Sequence, residues 1–76
     1  MGYMELEIVD STKKEDYIIS TIKPGCSNVY ETAICLDGLN VWHILENYTS
    51  KENAIIGHKK YSNMSIYELE ELTRKP

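Results

Sequence analysis

Residues 29–48 read VYETAICLDGLNVWHILENY, with the dipeptide Asp37-Gly38 near the middle. Asp-Gly favours the tight type I′ turn of a two-residue β-hairpin. The residues on either side are rich in β-branched and aromatic side chains, which are typical of strands. The pattern predicts that residues 29–36 pair antiparallel with residues 39–48.

A two-residue turn would also fix the pairing of the hairpin, so that Leu36 faces Leu39. Thr32 would then face His43. One side of the hairpin carries an apolar core set: Ile34, Leu36, Leu39, Val41 and Leu45. The other side carries Ala33, Cys35, Trp42 and Ile44, beside the polar residues Glu31, Asn40 and Glu46. This second side is more apolar than a solvated sheet face.

The apolar second side predicts a surface for protein contact. Aromatic side chains are frequent among the residues that dominate the binding energy of interfaces. We expect this surface to meet either a protein partner or a second copy of the chain in a homodimer. Its members are Trp42, Ile44, Ala33 and Cys35. The alternative is that Trp42 and the tyrosines only enlarge a small core.

Two further strands are predicted before the hairpin. Residues 3–9 alternate, with Met4, Leu6 and Ile8 on one side and Glu5 and Glu7 on the other. This period of two is typical of a strand that is buried on its apolar side only. A polar, turn-prone segment at 10–16 separates it from a second β-rich run at 17–22, so a long solvated loop should join the two strands.

A helix is predicted after the hairpin. Thr49 and Glu52 form the pattern of a capping box, in which two side chains each satisfy a free backbone N–H at the start of a helix. The helix presents one stripe of side chains: Ala54, Ile55, His58 and Tyr61. Gly57 within it costs about 1 kcal/mol relative to alanine. We expect this glycine to allow close approach of the helix to the sheet.

A last helix has its own capping box, with Ser65 as the N-cap and Glu68 at the third helical position. Met64 and Leu69 stand where a hydrophobic staple would form. The apolar stripe comprises Ile66, Leu69 and Leu72. The predicted order is β-β-β-β-α-α, an α+β fold in which a four-stranded antiparallel meander is followed by helices packed on one face. We expect residues 1–76 to form a single small domain.

Composition narrows the range of functions. The net charge is −4 and Arg74 is the one arginine in 76 residues. Unaided nucleic-acid binding is not expected, because phosphate contacts depend on clustered lysine and arginine. No membrane partner is expected, since no apolar run approaches the ~18 residues of a membrane span. Cys26 and Cys35 make no dense disulfide framework and no signal peptide is recognisable, so we expect free thiols and a cytoplasmic protein.

Motifs for catalysis are missing from the sequence. It contains no P-loop, dinucleotide-binding glycine cluster, HExxH, CxxC or GxSxG. So short a chain has a thin core that could hardly also enclose a catalytic pocket. We expect no enzymatic activity, no catalytic residue and no cofactor. A Cys–His nucleophilic pair is not expected either, since Cys26 has no recognisable partner.

A metal or small-ligand site is an alternative of a different class. The residue types that zinc prefers are present: His43, His58, Cys26 and Cys35. However, the cysteines lie nine residues apart and the histidines fifteen apart, unlike the short spacings of zinc motifs, and we expect no metal. The acidic residues Glu68, Glu70 and Glu71 could mimic phosphates, but a charge run on a helix is usually its solvated face.

One region resembles a known group of proteins. The matching elements are Tyr30-Glu31-Thr32-Ala33-Ile34, Asp37-Gly38, Glu46-Asn47-Tyr48-Thr49, Glu52-Asn53-Ala54 and Gly57-His58. Over residues 29–62 the chain is similar to small uncharacterised proteins of tailed bacteriophages, with Tyr-Glu-Thr and Gly-His as the distinctive elements. It departs from them in having Asn53 where a second acidic residue is common, and in its own last helix.

The resemblance implies a phage or prophage origin and a role inside the infected cell. It singles out four residues without assigning them a role: Glu31, Thr32, Gly57 and His58. We expect a non-enzymatic accessory protein that acts through protein–protein contacts, for example by inhibiting a host or defence protein. The alternative in the same setting is a minor structural or assembly component of the virion.

Overall fold

The structure is a computed structural model that describes residues 6–36 and 41–74. Its elements are β1 (Leu6–Lys13), β2 (Tyr17–Pro24), β3 (Tyr30–Leu36), β4 (Trp42–Tyr48), α1 (Lys51–Ser62) and α2 (Ile66–Arg74). The four strands form one antiparallel sheet in the order β1-β2-β3-β4, which is a meander. Both helices pack on the same side of this sheet. The predicted α+β fold is confirmed.

The sheet therefore has two different sides. Side chains alternate along a strand, and residues paired directly across neighbouring strands share a side. The helix side carries Ile19 and Ile34, which pair with each other and are fully buried. The opposite side, which we call the open face, includes Leu6, Ile8, Ile22, Ala33, Trp42 and Ile44.

The helix side holds the apolar core. Tyr61 of α1 and Leu69 of α2 pack on Ile19 and Ile34 of the sheet. Partly buried side chains complete this cluster: Tyr17, Leu36, Leu45 and Met64. Met64 and Leu69 thus belong to one contact region, as a hydrophobic staple requires.

The pairing of β3 with β4 differs from the prediction. Cys35 pairs with Trp42, whereas a two-residue turn would have paired Cys35 with Asn40. The predicted turn at Asp37-Gly38 lies outside the described residues, as does Leu39. Because side chains alternate with a period of two, a shift of two residues leaves Trp42 on the side where it was expected.

The shifted register changes which residues of β4 reach the core. His43, rather than Val41, lies opposite Ile34. Val41 is consequently 52% exposed, and its predicted place in the core is wrong. Leu45 does pack against the core cluster, as predicted.

A local irregularity in the same pair of strands moves Glu46. The register shifts between Thr32 and Ala33, so that Thr32 pairs with Glu46 and not with His43. Glu46 therefore lies on the helix side, where its carboxylate is 3.1 Å from Lys60 Nζ. Its predicted position on the apolar side of the hairpin is wrong, because the pattern of alternation is interrupted at this point.

β1 extends past its predicted end at residue 9 to Lys13, and its apolar side faces away from the helices. Only residues 14–16 separate it from β2, so the predicted long loop at 10–16 is wrong. Glu7 faces the helices, where its Oε2 lies 3.0 Å from Lys51 Nζ, while Leu6 and Ile8 are 54% and 62% exposed. The expectation that the apolar side of this strand is buried is wrong, because the helices cover the Glu7 side.

A bulge then reverses the sides of β1. Ile8 pairs with Ile22 but Asp10 pairs with Thr21, which leaves one extra residue in β1 between the two pairs. An extra residue in one strand re-aims the side chains that follow it. Beyond the bulge, Asp10 and Thr12 therefore point to the helix side.

The two helix caps have different outcomes. The N-cap of α1 is Ser50, whose Oγ accepts the Asn53 N–H at 3.1 Å. The predicted cap at Thr49 is wrong by one residue, because α1 begins at Lys51 and the N-cap directly precedes the first helical residue. The capping box of α2 is confirmed, since the Glu68 N–H donates to Ser65 Oγ and the Ser65 N–H to Glu68 Oε1, both at 3.2 Å.

Both helices bury a narrower stripe than predicted. In α1 the buried residues are Ala54, Gly57, His58 and Tyr61, whereas Ile55 is 39% exposed. Ile55 lies one residue, or about 100° of helical turn, beyond Ala54 and therefore off the buried stripe. In α2 only Leu69 is buried, and Leu72 is 38% exposed.

Candidate functional site

The open face exposes large apolar side chains in a group. Leu6, Ile8, Trp42 and Ile44 are each 50–62% exposed. Leu6 and Ile8 come from one edge strand of the sheet, and Trp42 and Ile44 come from the other. Between them lies a concavity of ≈ 410 Å³ with Ala33 in its lining. The small side chain of Ala33, which pairs with Ile44 across the strands, leaves this hollow between larger neighbours.

The four residues predicted for protein contact come together on this face. Cys35 pairs with Trp42, and Ala33 pairs with Ile44. Trp42 and Ile44 are exposed, Cys35 is half-buried and Ala33 is 9% exposed. The structure places these four residues together on one face, and their role in binding remains a prediction.

Sequence reasoning missed the contribution of the first two strands to the open face. Leu6, Ile22 and Ser20 line the same concavity as Trp42. The alternation of residues 3–9 did indicate an apolar side for β1, but a pattern of alternation does not say which side of a sheet the helices will cover. The sequence signal that could have revealed this was that the first two strands, like the last two, carry an apolar side.

A second candidate site is buried between the sheet and α1, around His58. Its imidazole is 2% exposed. Nδ1 lies 2.7 Å from Thr21 Oγ1 of β2, and Nε2 lies 2.9 Å from Thr12 Oγ1 of β1. From Thr21 the chain of contacts continues to two further residues. Thr21 Oγ1 is 2.6 Å from Thr32 Oγ1, and the Tyr48 hydroxyl donates to Thr32 Oγ1 at 3.1 Å. We call this the hydroxyl chain.

The hydroxyl chain favours one tautomer of His58. Tyr48 donates to Thr32, so Thr32 can use its own proton toward Thr21, and Thr21 its proton toward Nδ1 of His58. Nδ1 is then the acceptor, and the neutral ring carries its proton on Nε2. That N–H donates to Thr12 Oγ1. In this arrangement each hydroxyl proton of Tyr48, Thr32 and Thr21, and the Nε2 proton of His58, is donated in a hydrogen bond.

The burial of His58 also lowers its pKa. Desolvation lowers the pKa of His58 below its usual 6.5, and the carboxylate of Asp10, whose Oδ2 lies 3.8 Å from Nε2, acts more weakly in the opposite direction. A protonated ring would also need to donate from Nδ1, which would reverse the hydroxyl chain. His58 is therefore held as the neutral base.

Lowering the pH should destabilise the fold through His58. The unfolded chain takes up this proton more readily than the folded one, so the free energy of unfolding is highest above pH 6.5 and falls as the pH drops through that value. Urea unfolding between about pH 8 and about pH 5 measures the slope. A His58→Gln variant should lose this part of the pH dependence and a His43→Gln variant should keep it. Equal slopes in the two variants would contradict the assignment.

Three of the four residues singled out by the resemblance meet at the hydroxyl chain. Thr32 and His58 belong to it, and a Cβ built on Gly57 would overlap the phenol ring of Tyr48. The expected close approach at Gly57 is confirmed, and it brings α1 near enough for His58 to reach the sheet. Glu31 is the exception, because it lies on the open face.

The candidate metal ligands do not converge. Cys26 is exposed in the turn after β2 and Cys35 lies on the open face, whereas His58 is enclosed on the helix side. His43 pairs with Ile34, also on the helix side. Within residues 6–36 and 41–74, no group of three or more His, Cys, Asp or Glu side chains is placed to hold a metal ion.

Two of the three acidic residues of α2 have local side-chain partners. Glu68 completes the capping box with Ser65, and Glu71 lies 3.8 Å from Arg74 on the same helix. These contacts agree with the interpretation of this charge run as a solvated helix face.

Comparison of the chain with protein-family models, with curated proteins and with solved structures found no match. The resemblance of residues 29–62 to phage proteins therefore stays a prediction. Neither helix of the described part of the chain is long and apolar enough to cross a membrane.

Proposed function

We propose that the protein acts without catalysis, by binding protein through its open face. The observation that carries this proposal is the grouping of Leu6, Ile8, Trp42 and Ile44 on one side of the sheet, each at least half exposed. Contiguous apolar patches of more than a few hundred Å² are rare on monomeric proteins and often mark interaction sites. Single exposed apolar residues would not carry the same weight.

The energetics of a small domain support the same proposal. Full burial of a large apolar side chain is worth about 1.5–3 kcal/mol relative to exposure. Trp42 at 50% exposure has realised only part of this gain within the chain. Since α1 and α2 occupy the other side of the sheet, no helix of the described residues supplies the remainder, and contact with another molecule would supply it.

The position of the reactive side chains favours binding over catalysis. His58 is 2% exposed and hydrogen-bonded at both ring nitrogens, so a substrate could not reach it without opening the contact between α1 and the sheet. A setting inside a phage-infected cell, with a host or defence protein as target, rests on the resemblance of residues 29–62 alone.

Replacing Trp42 with glutamate should abolish binding without unfolding the protein. A half-exposed position tolerates a charge in the free chain, but a carboxylate buried in an apolar interface is strongly unfavourable. Circular dichroism checks the fold, sedimentation measures self-association and affinity capture measures other partners. Ile56→Glu is the matched control, because Ile56 is 64% exposed on α1.

Two results would overturn this proposal. If Trp42→Glu unfolds the chain, Trp42 belongs to the core. If Trp42→Glu and Ile56→Glu leave both self-association and capture unchanged, the open face is not the contact surface.

A further inference from the structure

We propose that the molecule bound by the open face is a second copy of this chain, related by a two-fold axis, with Glu31 of each copy paired with Lys13 of the other. This inference rests on the proposed function, since it takes the open face to be a contact surface. It adds the identity of the partner and its orientation.

The charges of the open face are placed for such a pairing. Lys13 and Glu31 are the charged residues of this side among those described, so the face is neutral although the chain carries −4. Neither makes an ion pair with another described residue of its own chain. The face carries no other described charge, so one cation and one anion are available to meet across an interface.

The two charges lie toward opposite ends of the sheet, with Lys13 on the edge strand β1 and Glu31 on the inner strand β3. Lys13 is at the end of β1 and pairs with Ile18, which pairs with Cys35, which pairs with Trp42. Glu31 is near the start of β3 and pairs with Ile22, which pairs with Ile8. The apolar residues Ile8 and Trp42 thus hold one diagonal of the face, and Lys13 and Glu31 lie on opposite sides of it, with Glu31 one strand inside the corner at Asn47.

A two-fold axis along the apolar diagonal brings the opposite charges of the two copies together. It sets the Lys13 corner of one copy over the Asn47 corner of the other, beside Glu31, which pairs with Asn47, and it sets Trp42 of one copy against Trp42 of the other. A two-fold interface is self-complementary in this way, because each contact occurs twice. The strands of the two sheets then cross near a right angle, which is one of the two common ways in which sheets pack.

The size of the face suits a dimer at the small end of specific interfaces. Four strands about 4.8 Å apart, with residues about 3.3 Å apart along each, give a face of roughly 19 by 25 Å. Crossed at a right angle, two such faces overlap over roughly 19 by 19 Å, which is about 720 Å² in projection for the two copies together, and more in accessible surface because side chains give relief. Specific interfaces bury at least about 1,000 Å² in total.

Charge reversal in trans tests the pairing. Sedimentation equilibrium at low salt should show a dimer for the wild-type chain, and a dissociation constant at least about tenfold weaker for Glu31→Lys alone and for Lys13→Glu alone, because each then faces like charges in both pairs. An equimolar mixture of the two single variants should recover wild-type affinity, since every pair in the mixed dimer joins opposite charges. Added salt should reduce these differences.

Each alternative outcome is decisive. A wild-type chain that stays monomeric overturns the dimer, and if Trp42→Glu still abolishes capture of another protein, the proposed function survives. A dimer whose single variants are unaffected, or whose mixture shows no recovery, overturns the Glu31–Lys13 pairing. If Trp42→Glu leaves both the dimer and capture intact, the inference and the proposed function fail together.

Discussion

Replacing Gly57 with alanine should lower the free energy of unfolding by about 1–3 kcal/mol, although alanine is the better helix former by about 1 kcal/mol. The reason is steric, because a Cβ at this position would overlap the phenol ring of Tyr48. Relief requires either a displaced Tyr48, which breaks its hydrogen bond to Thr32, or a displaced α1, which draws His58 away from Thr21. Urea unfolding of the two proteins measures the difference.

A double-mutant cycle separates this overlap from helix propensity. In a Tyr48→Ala background the ring is absent, so Gly57→Ala should become neutral or stabilising there. The same penalty in both backgrounds would show that Tyr48 is not the obstacle. A more stable single variant would mean that α1 does not approach the sheet as closely as proposed.

The topology of this chain is largely readable from local pattern, but the register is not. The strands, the α2 capping box and the role of Gly57 follow from residues close to one another in sequence. The pairing of Cys35 with Trp42 depends instead on the length of the connection between the strands. The Asp37-Gly38 dipeptide predicted a connection of two residues, which is too short for this pairing. Since the error was two residues, the sides of Trp42 and Ile44 were still assigned correctly.

The orientation of β1 shows a different limit. Its alternating pattern is real, but the helices cover the side of Glu7 and leave Leu6 and Ile8 exposed. Which side of a strand is buried depends on what packs against the whole sheet, and a bulge reverses the sides within β1 itself. Local alternation contains neither piece of information.

The hydroxyl chain was out of reach for the same reason. His58 was noted from the sequence, but its partners Thr12 and Thr21 are 46 and 37 residues away. One sequence signal for the hydroxyl chain was available. Some threonines fall on the same side of a strand as buried isoleucines such as Ile19, so their hydroxyls face the helices. Buried hydroxyls must find hydrogen-bond partners, and a histidine on the covering helix is a suitable one.

Substituting leucine for His58 should lower the free energy of unfolding by about 2–4 kcal/mol. Leucine fills much of the space but removes the ring nitrogen 2.7 Å from Thr21, which leaves the Thr21 proton without an acceptor. Thr12 loses the nitrogen at 2.9 Å but keeps its contact with Ser62. A buried polar group left unpaired costs about 1–3 kcal/mol, whereas removing both partners of a hydrogen bond together can be nearly neutral.

Adding Thr21→Val, which keeps the shape and removes the hydroxyl, should therefore restore part of the stability of His58→Leu, although Thr21→Val alone is destabilising. Urea unfolding of the three variants and of the control His43→Leu measures this coupling, and strictly additive losses would show that the hydroxyl chain does not act as a unit.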